Sequence, residues 1–332
     1  MRAPAEELAL NKPTNVALSL AIVASLALAA CSRKSETPPE PTQESPAPAQ
    51  TSQAVPGSFS IGELSAIPLR DGGLDFPNDN KIVGVGKKPD DVAQLLGAAG
   101  LPTDKVSLTI TPLLVKASDR VLLFDTGAGT NFGPSAGTLG KSMTEAGVDA
   151  AGLTDIFISH GHGDHVGGLV NAEGALAFPK ATIHIAAADW AFLQGLNAET
   201  AAGVGLPQYE KLVAAMTPKV ATFEPNAELI PGVVKAVEIR GHTPGHSGFM
   251  IGSGENSVLY IGDSMHHYVV SVQKPDWTIG FDGDAPTAEK SRAELLARSA
   301  DSGQRIYAIH FPYPAVGKIE RRGDSYVWVA AN

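Results

Sequence analysis

Ser159-His160-Gly161-His162-Gly163-Asp164-His165-Val166-Gly167-Gly168 is the stretch on which the reading of this chain turns. It follows the apolar run Ile156-Phe157-Ile158, so a polar cluster stands where a buried strand ends and a loop begins. Three imidazoles and a carboxylate within six residues would repel one another or compete for protons unless something accepts their lone pairs. A divalent metal does so. Gly161 and Gly163 let the backbone turn tightly enough for alternate side chains to converge. A solvated histidine-rich tract is the competing reading, and the position at a strand end, followed by Gly-Gly, argues against it.

Three more residues occupy similar contexts further along. His242 lies in Gly241-His242-Thr243-Pro244-Gly245-His246, after a run ending at Ile239. Asp263 follows Val258-Leu259-Tyr260-Ile261-Gly262, and His310 follows Ile306-Tyr307-Ala308-Ile309. Singly, each would pass for a structural or solvated residue. Together with the first cluster they make five His and two Asp, a full ligand set for two metals with positions left for water. These nitrogen and oxygen donors suit Zn²⁺ and also accept Mn²⁺, Fe²⁺ or Co²⁺. A metal-activated hydroxide needs no Ser nucleophile, and the chain has no Gly-x-Ser-x-Gly elbow.

The HxHxDH string at 160–165, with His, Asp and His downstream in that order, resembles the metallo-β-lactamase superfamily over roughly Leu108 to Val329. The resemblance implies an α+β fold, an αββα sandwich of two mixed sheets face to face with helices outside. Carried over residue by residue, it implies that His160, His162 and His242 hold one metal, that Asp164, His165 and His310 hold the other, and that Asp263 bridges both. It further implies a dinuclear hydrolase with a metal-bridging hydroxide; the place of Asp164 beside the metals makes it the candidate to relay a proton to the leaving group. Asp125, in Leu123-Phe124-Asp125-Thr126-Gly127, matches the superfamily's aspartate that steers a ligand imidazole by hydrogen bonding. His246 is expected to brace the loop behind His242.

Within the superfamily, Asp125-Thr126-Gly127-Ala128-Gly129, Phe132-Gly133-Pro134, Gly262-Asp263 and His310-Phe311-Pro312 are most similar to the exported methyl-parathion-hydrolase-like and lactonase-like members. That likeness implies an ester, lactone or organophosphate substrate, with Phe132 and Phe192 lining its pocket and Trp190 competing for the second place. His266 or His267 would point into the site. Asp276, Asp282 and Asp284 read as turn formers or solvated acids, and His184 as structural. Other readings stay open: a thioester hydrolase or β-lactamase of the same fold, a mononuclear iron oxidoreductase of the sulfur-dioxygenase kind, or a metal-binding lipoprotein without turnover.

The rest of the chain fits a folded enzyme behind an export address. Of 332 residues, 43% are hydrophobic and 18% charged, enough for a sizeable core. Lys+Arg 25 against Asp+Glu 35 gives a net −10, which counts against nucleic acid as a partner. One cysteine excludes a disulfide framework or a CxxC site. Val16–Ala30 is an apolar run too short to span a bilayer but suited to a signal peptide over residues 1–30. Its end, Leu28-Ala29-Ala30-Cys31, resembles a bacterial lipobox, with Cys31 acylated and Ser32 directing the protein to the outer membrane, facing the periplasm. Residues 31–57 read as a Pro/Ser-rich tether and 58–332 as the hydrolase domain; a small molecule and the membrane are the expected partners, with a homodimer left open. Strands are expected over Val106–Val115, Arg120–Phe124, Asp155–Ser159, Thr182–Ile185, Val233–Ile239, Phe249–Ile251 and Ser257–Ile261. Helices are expected over Thr138–Ala146, Ala187–Leu193, Gln208–Ala215 and Ala288–Ala300, before a closing hairpin at Lys318–Glu320 and Tyr326–Val329.

Overall fold

The computed structural model describes residues 55–331, so the signal segment, Cys31 and all of the tether before residue 55 lie outside the described residues. Two seven-stranded sheets carry the fold. The first runs, from edge to edge, Phe59–Ile61, Leu64–Pro68, Leu113–Ala117, Arg120–Phe124, Asp155–Ile158, Thr182–Ala186 and Val220–Phe223. The second runs Glu228–Ile230, Val234–Glu238, Ser247–Ile251, Val258–Tyr260, Arg305–Tyr307, Val316–Arg322 and Ser325–Ala330. Both are mixed. Arg120–Phe124, Asp155–Ile158, Thr182–Ala186 and Val220–Phe223 are parallel neighbours, as are Val258–Tyr260 and Arg305–Tyr307.

The strands that read as unbroken apolar runs are those buried on both faces. In Asp155–Ile158, Phe157 enters the layer between the sheets, where it stacks on Phe124 at 5.0 Å and meets Phe249 of the other sheet at 5.6 Å. Its neighbours Ile156 and Ile158 face the other way, into a layer with Leu139 and Met143 of the helix Leu139–Glu145 and Leu193 of Ala187–Gln194. On the second sheet Leu259 and Ile306 pack against Leu295 and Leu296 of Ala285–Ser302. The result is the αββα sandwich. Emptying the middle layer at one such phenylalanine would cost about 3–5 kcal/mol.

One expected strand is two. The run Val106–Val115 breaks at Thr111-Pro112, giving Lys105–Ile110, paired with Gly72–Pro77 in a small separate sheet, and Leu113–Ala117 in the first large sheet. Pro112 has no N–H for a ladder, and its carbonyl instead accepts from Leu69 N at 2.8 Å. The break matters because Thr109, beside it, reaches the functional site.

Candidate metal centre

Strand ends deliver the polar residues to one edge of the sandwich. Asp155–Ile158 leads into Ser159-His160, Arg120–Phe124 into Asp125, Val258–Tyr260 into Asp263, and Arg305–Tyr307 into His310. His162 caps the one-turn helix Gly163–Val166, which carries Asp164 and His165. The carbonyl of Ser159 accepts from Ser247 N at 2.9 Å, joining the two sheets at the site. Gly163 permits close backbone approach, since a Cβ there would stand 2.2 Å from the Gly205 carbonyl oxygen.

Two groups of donors form. His160, His162, His242 and Asp263 offer atoms within 4.8 Å of one another, and so do Asp164, His165 and His310. His242 Nε2 lies 3.1 Å from His160 Nε2 and 3.0 Å from His162 Nδ1. Asp263 faces both groups. Its Oδ2 is 3.5 Å from His242 Nε2 and 3.7 Å from His160 Nε2, while its Oδ1 is 3.1 Å from His165 Nε2 and 3.0 Å from His310 Nε2. Asp164 lies 3.7 Å from His165 Nε2 and 3.6 Å from His310 Nε2.

Contacts on the far side of the rings set the tautomers. His165 Nδ1 donates to Asp125 Oδ2 at 2.7 Å, His310 Nδ1 to the Thr109 carbonyl at 2.7 Å, and His242 Nδ1 to Asp282 Oδ1 at 2.9 Å. His160 Nδ1 donates to Ser159 Oγ at 3.0 Å, because that hydroxyl is spent as a donor on Asp125. Each of these four rings therefore turns an Nε2 lone pair into the site. Burial, with the neighbouring imidazoles adding to it, pushes the basicity of His160, His162 and His242 well below the ordinary histidine value. At the other end burial acts in the same direction, but Asp263 and Asp164 outweigh it and pull His165 and His310 upward. One group is thus a neutral nitrogen cluster, and the other an acidic one that calls for positive charge.

This donor set fits metal ions. Lone pairs on three nitrogens at 3.0–3.1 Å repel unless a cation lies between them. Tetrahedral zinc with bonds of about 2.0–2.1 Å separates its ligands by about 3.3 Å. Asp263 Oδ1 and His165 Nε2 are buried side by side with no aligned hydrogen-bond partner, the orphaned pair that a cation would satisfy. The sequence profile of the metallo-beta-lactamase superfamily matches residues 109–324, which include every one of these donors. This chain belongs to the metallo-beta-lactamase superfamily.

Two solved structures similar to this one cover most of the chain. AidC, a dizinc quorum-quenching lactonase in complex with a product, is 27% identical with a TM-score of 0.77, over 83% of this chain and 97% of that one. The hydrolase AbOPH is 26% identical with a TM-score of 0.74, over 85% and 99%. A probable metallo-hydrolase of Mycobacterium tuberculosis is 24% identical over 197 residues, 49% of this chain, and the match spans 58% of that relative's length.

Over the donors opens a cavity of about 1020 Å³. Phe132, Phe192 and Val204 line it, together with Leu74, Phe76, Leu108 and Phe281. Trp190, the competitor for the place of Phe192, is not in this lining; it packs in the helix layer instead. Two residues along a helix is a turn of about 200°, so only one of the two rings can face the cavity. His266 does line it, with Nε2 3.2 Å from Asp263 Oδ2, whereas His267 turns away and its Nδ1 accepts from Val269 N and Val270 N. His246 does more than brace one loop: Nδ1 donates to the Ile239 carbonyl, and Nε2 accepts from Asp263 N at 2.9 Å.

Three residues around the centre escaped the sequence reading. Asp282, expected to be a turn former or solvated acid, has a fully buried side chain and holds His242. Its other oxygen accepts from Arg292, whose position on the stripe Ala288, Arg292, Leu295, Leu296, Ser299 of its helix was the available signal. Asp189 is wholly buried and ties two site loops together, accepting from Gly161 N, Thr243 Oγ1 and Gly245 N at 2.7–2.9 Å. Burial without a countercharge pushes its carboxyl up to about 6 despite those hydrogen bonds. Asp284 is, as read, a turn former, capping the helix through Thr287 N.

Proposed function

We propose that this protein is a dinuclear metal-dependent hydrolase acting on an uncharged, largely apolar ester, lactone or organophosphate. The observation that carries the reading is the pairing of the two donor groups, joined through Asp263, with an apolar cavity directly above them. Arg240 is the one Lys or Arg in that lining, and its Nε is already paired with Glu238 at 2.8 Å. An anionic β-lactam or glutathione thioester would have to compete with Glu238 for the one cationic side chain among these residues, which favours a neutral substrate over those alternatives.

His160, His162 and His242 would hold one ion, and Asp164, His165 and His310 the other, with Asp263 turning one oxygen to each. When bound, two such ions supply Lewis acidity and acidify water toward neutral pH. Zn²⁺ suits the donors and is the metal named for AidC. The protein's own part is orientation. Asp125, Asp282, Ser159 and the Thr109 carbonyl fix the rings, and His246 fixes the backbone of Asp263. Phe132 and Phe192 exclude water from the bound substrate. Asp164 lines the cavity and is partly open to it, placed to carry a proton to a leaving oxygen.

The test is elemental analysis of protein purified without chelator, beside a panel of lactones, aryl esters and phosphotriesters. Two divalent ions per chain and turnover on that panel are expected, with Asp263→Ala losing activity while remaining folded. One iron per chain points to the sulfur-dioxygenase class, and metal-replete protein without turnover to a binding lipoprotein. We further propose export and lipid attachment at Cys31, on the strength of the Val16–Ala30 run and the Leu28-Ala29-Ala30-Cys31 string. Cys31→Ser is expected to move the protein from membrane to soluble fractions, and wild-type protein already soluble would refute the anchor.

A further inference from the structure

We propose that Asp282 and Arg292 are positioning residues that dictate the tautomer of His242 and couple it to the loop bearing Asp263. The inference rests on the dinuclear reading above. Both side chains are completely buried, and the Arg292 Nη2 to Asp282 Oδ2 distance is 2.7 Å. A carboxylate is acceptor-only, and with Oδ2 occupied by the guanidinium, Oδ1 is left to accept from His242 Nδ1 at 2.9 Å. The proton of His242 is thereby held on Nδ1, and the Nε2 lone pair on the side of His160 and His162.

Arg292 spends its other donors on carbonyls. Nε donates to Ser264 O at 2.9 Å, and Nη1 to Pro275 O at 3.0 Å and Trp277 O at 3.1 Å. Ser264 follows Asp263 directly, so one planar cation holds the backbone beside the carboxylate that faces both donor groups and, through Asp282, the imidazole of one of them. The geometry needs a fork; lysine, a point charge with one nitrogen, cannot bond to all four acceptors from the same place. The helix lies against the same loop: Gly283 N and Asp284 N donate to the carbonyls of His242 and Gly241, and a Cβ on Gly241 would stand 2.2 Å from Ala288 N. Asp282 touches neither Asp164, His165 nor His310, so its influence on the two ions is unequal.

Asp282→Asn makes that inequality measurable without changing volume. Arg292 can accept nothing, so the amide oxygen must serve it, and the amide NH₂ then faces His242 Nδ1. The imidazole proton is driven to Nε2, into the donor group. Metal-free full-length protein is titrated with Zn²⁺ against a chromophoric chelator, and its melting temperature is read before metal is added. We expect one of two equivalents to weaken by about 10–100-fold and the other to stay as in wild type, with the metal-free melt lowered because Arg292 keeps a buried charge without its carboxylate. Two equivalents of wild-type affinity would overturn the proposal, as would equal loosening of both, the mark of a merely structural pair. Should the variant fail to fold, ¹⁵N–¹H NMR of metal-free wild type decides: His242 protonated on Nδ1 supports the proposal, and on Nε2 overturns it. Wild-type protein taking up no second equivalent would instead sink the dinuclear reading beneath.

Discussion

Asp125→Asn offers the sharpest test of how the acidic half of the centre is held. The Asp125 carboxylate is fully buried and receives four donors at 2.7 Å: Ser159 N on Oδ1, and Ser159 Oγ, His165 Nδ1 and Tyr260 Oη on Oδ2. An amide has one acceptor oxygen. If it keeps Ser159 N, the two hydroxyls can rotate and accept from the NH₂, but the Nδ1–H of His165 cannot. One bond to a charged acceptor is lost outright, about 1.5–3 kcal/mol, and three charge-assisted bonds become neutral ones at roughly half their strength. The metal-free variant should therefore be destabilised by roughly 4–7 kcal/mol in urea unfolding. His165 would also be driven to the tautomer with a proton on Nε2, weakening one Zn²⁺ equivalent by about 10–100-fold in chelator competition. Asp282→Asn strikes the other donor group, so the doubly substituted protein should lose grip on both ions. A variant within about 1 kcal/mol of wild type and binding both ions normally would refute the reasoning, since it would mean that Asp125 does not govern His165.

Three shorter expectations follow from the same geometry. Phe192→Ala, on the cavity wall, should lower kcat/KM for an apolar ester by about tenfold while sparing a substrate too small to reach it, as a two-substrate comparison will show. Asp189 makes the fold sensitive to pH: its native value of about 6 lies above the unfolded 3.8, so the folded state binds the extra proton between them. The stabilisation is full below pH 3.8 and is lost as pH rises through 6, a span of about 3 kcal/mol that Asp189→Asn should remove from a difference of denaturation curves against pH. Gly205 has φ +73°, and a Cβ would come 2.5 Å from Phe132 Cζ, so Gly205→Val should displace that ring and raise KM for apolar substrates more than it lowers kcat.

What could be read from residue order was whatever is local. HxHxDH declares itself because its members lie within one turn and a loop, and His242, Asp263 and His310 were found because each ends an apolar run. The strand Asp155–Ile158 is likewise legible as a short apolar run, although which of its side chains enter the layer between the sheets is set by neighbours far along the chain. Trp190 against Phe192 was beyond that reach, because the choice depends on which face of a short helix the cavity lies against. Asp189, Asp282 and Arg292 were further beyond it. A buried carboxylate and a solvated one have the same letter, and only the approach of Arg292 from a helix ten residues away turns Asp282 from a loop acid into the partner of a metal-site imidazole.

That distribution has a consequence for how the centre assembles. His165 is oriented from the first large sheet by Asp125, His310 from the small sheet by the Thr109 carbonyl, and His242 from the region before the long helix by Asp282. No layer of the sandwich holds the donors alone. Asp263 makes the point most directly: His246, just before a strand of the second sheet, holds its backbone, Arg292 holds the next carbonyl, and its oxygens look toward imidazoles from both sheets. In the unfolded chain those groups are spread over 150 residues, so the closing of the two sheets must precede a complete site. Binding energy for any metal held there would then add to the stability of the whole sandwich rather than to one loop. Zn²⁺ should accordingly raise the unfolding midpoint of strands remote from the centre, such as Thr182–Ala186, as much as that of the HxHxDH loop in hydrogen exchange; protection confined to the loop would show that the donors assemble locally.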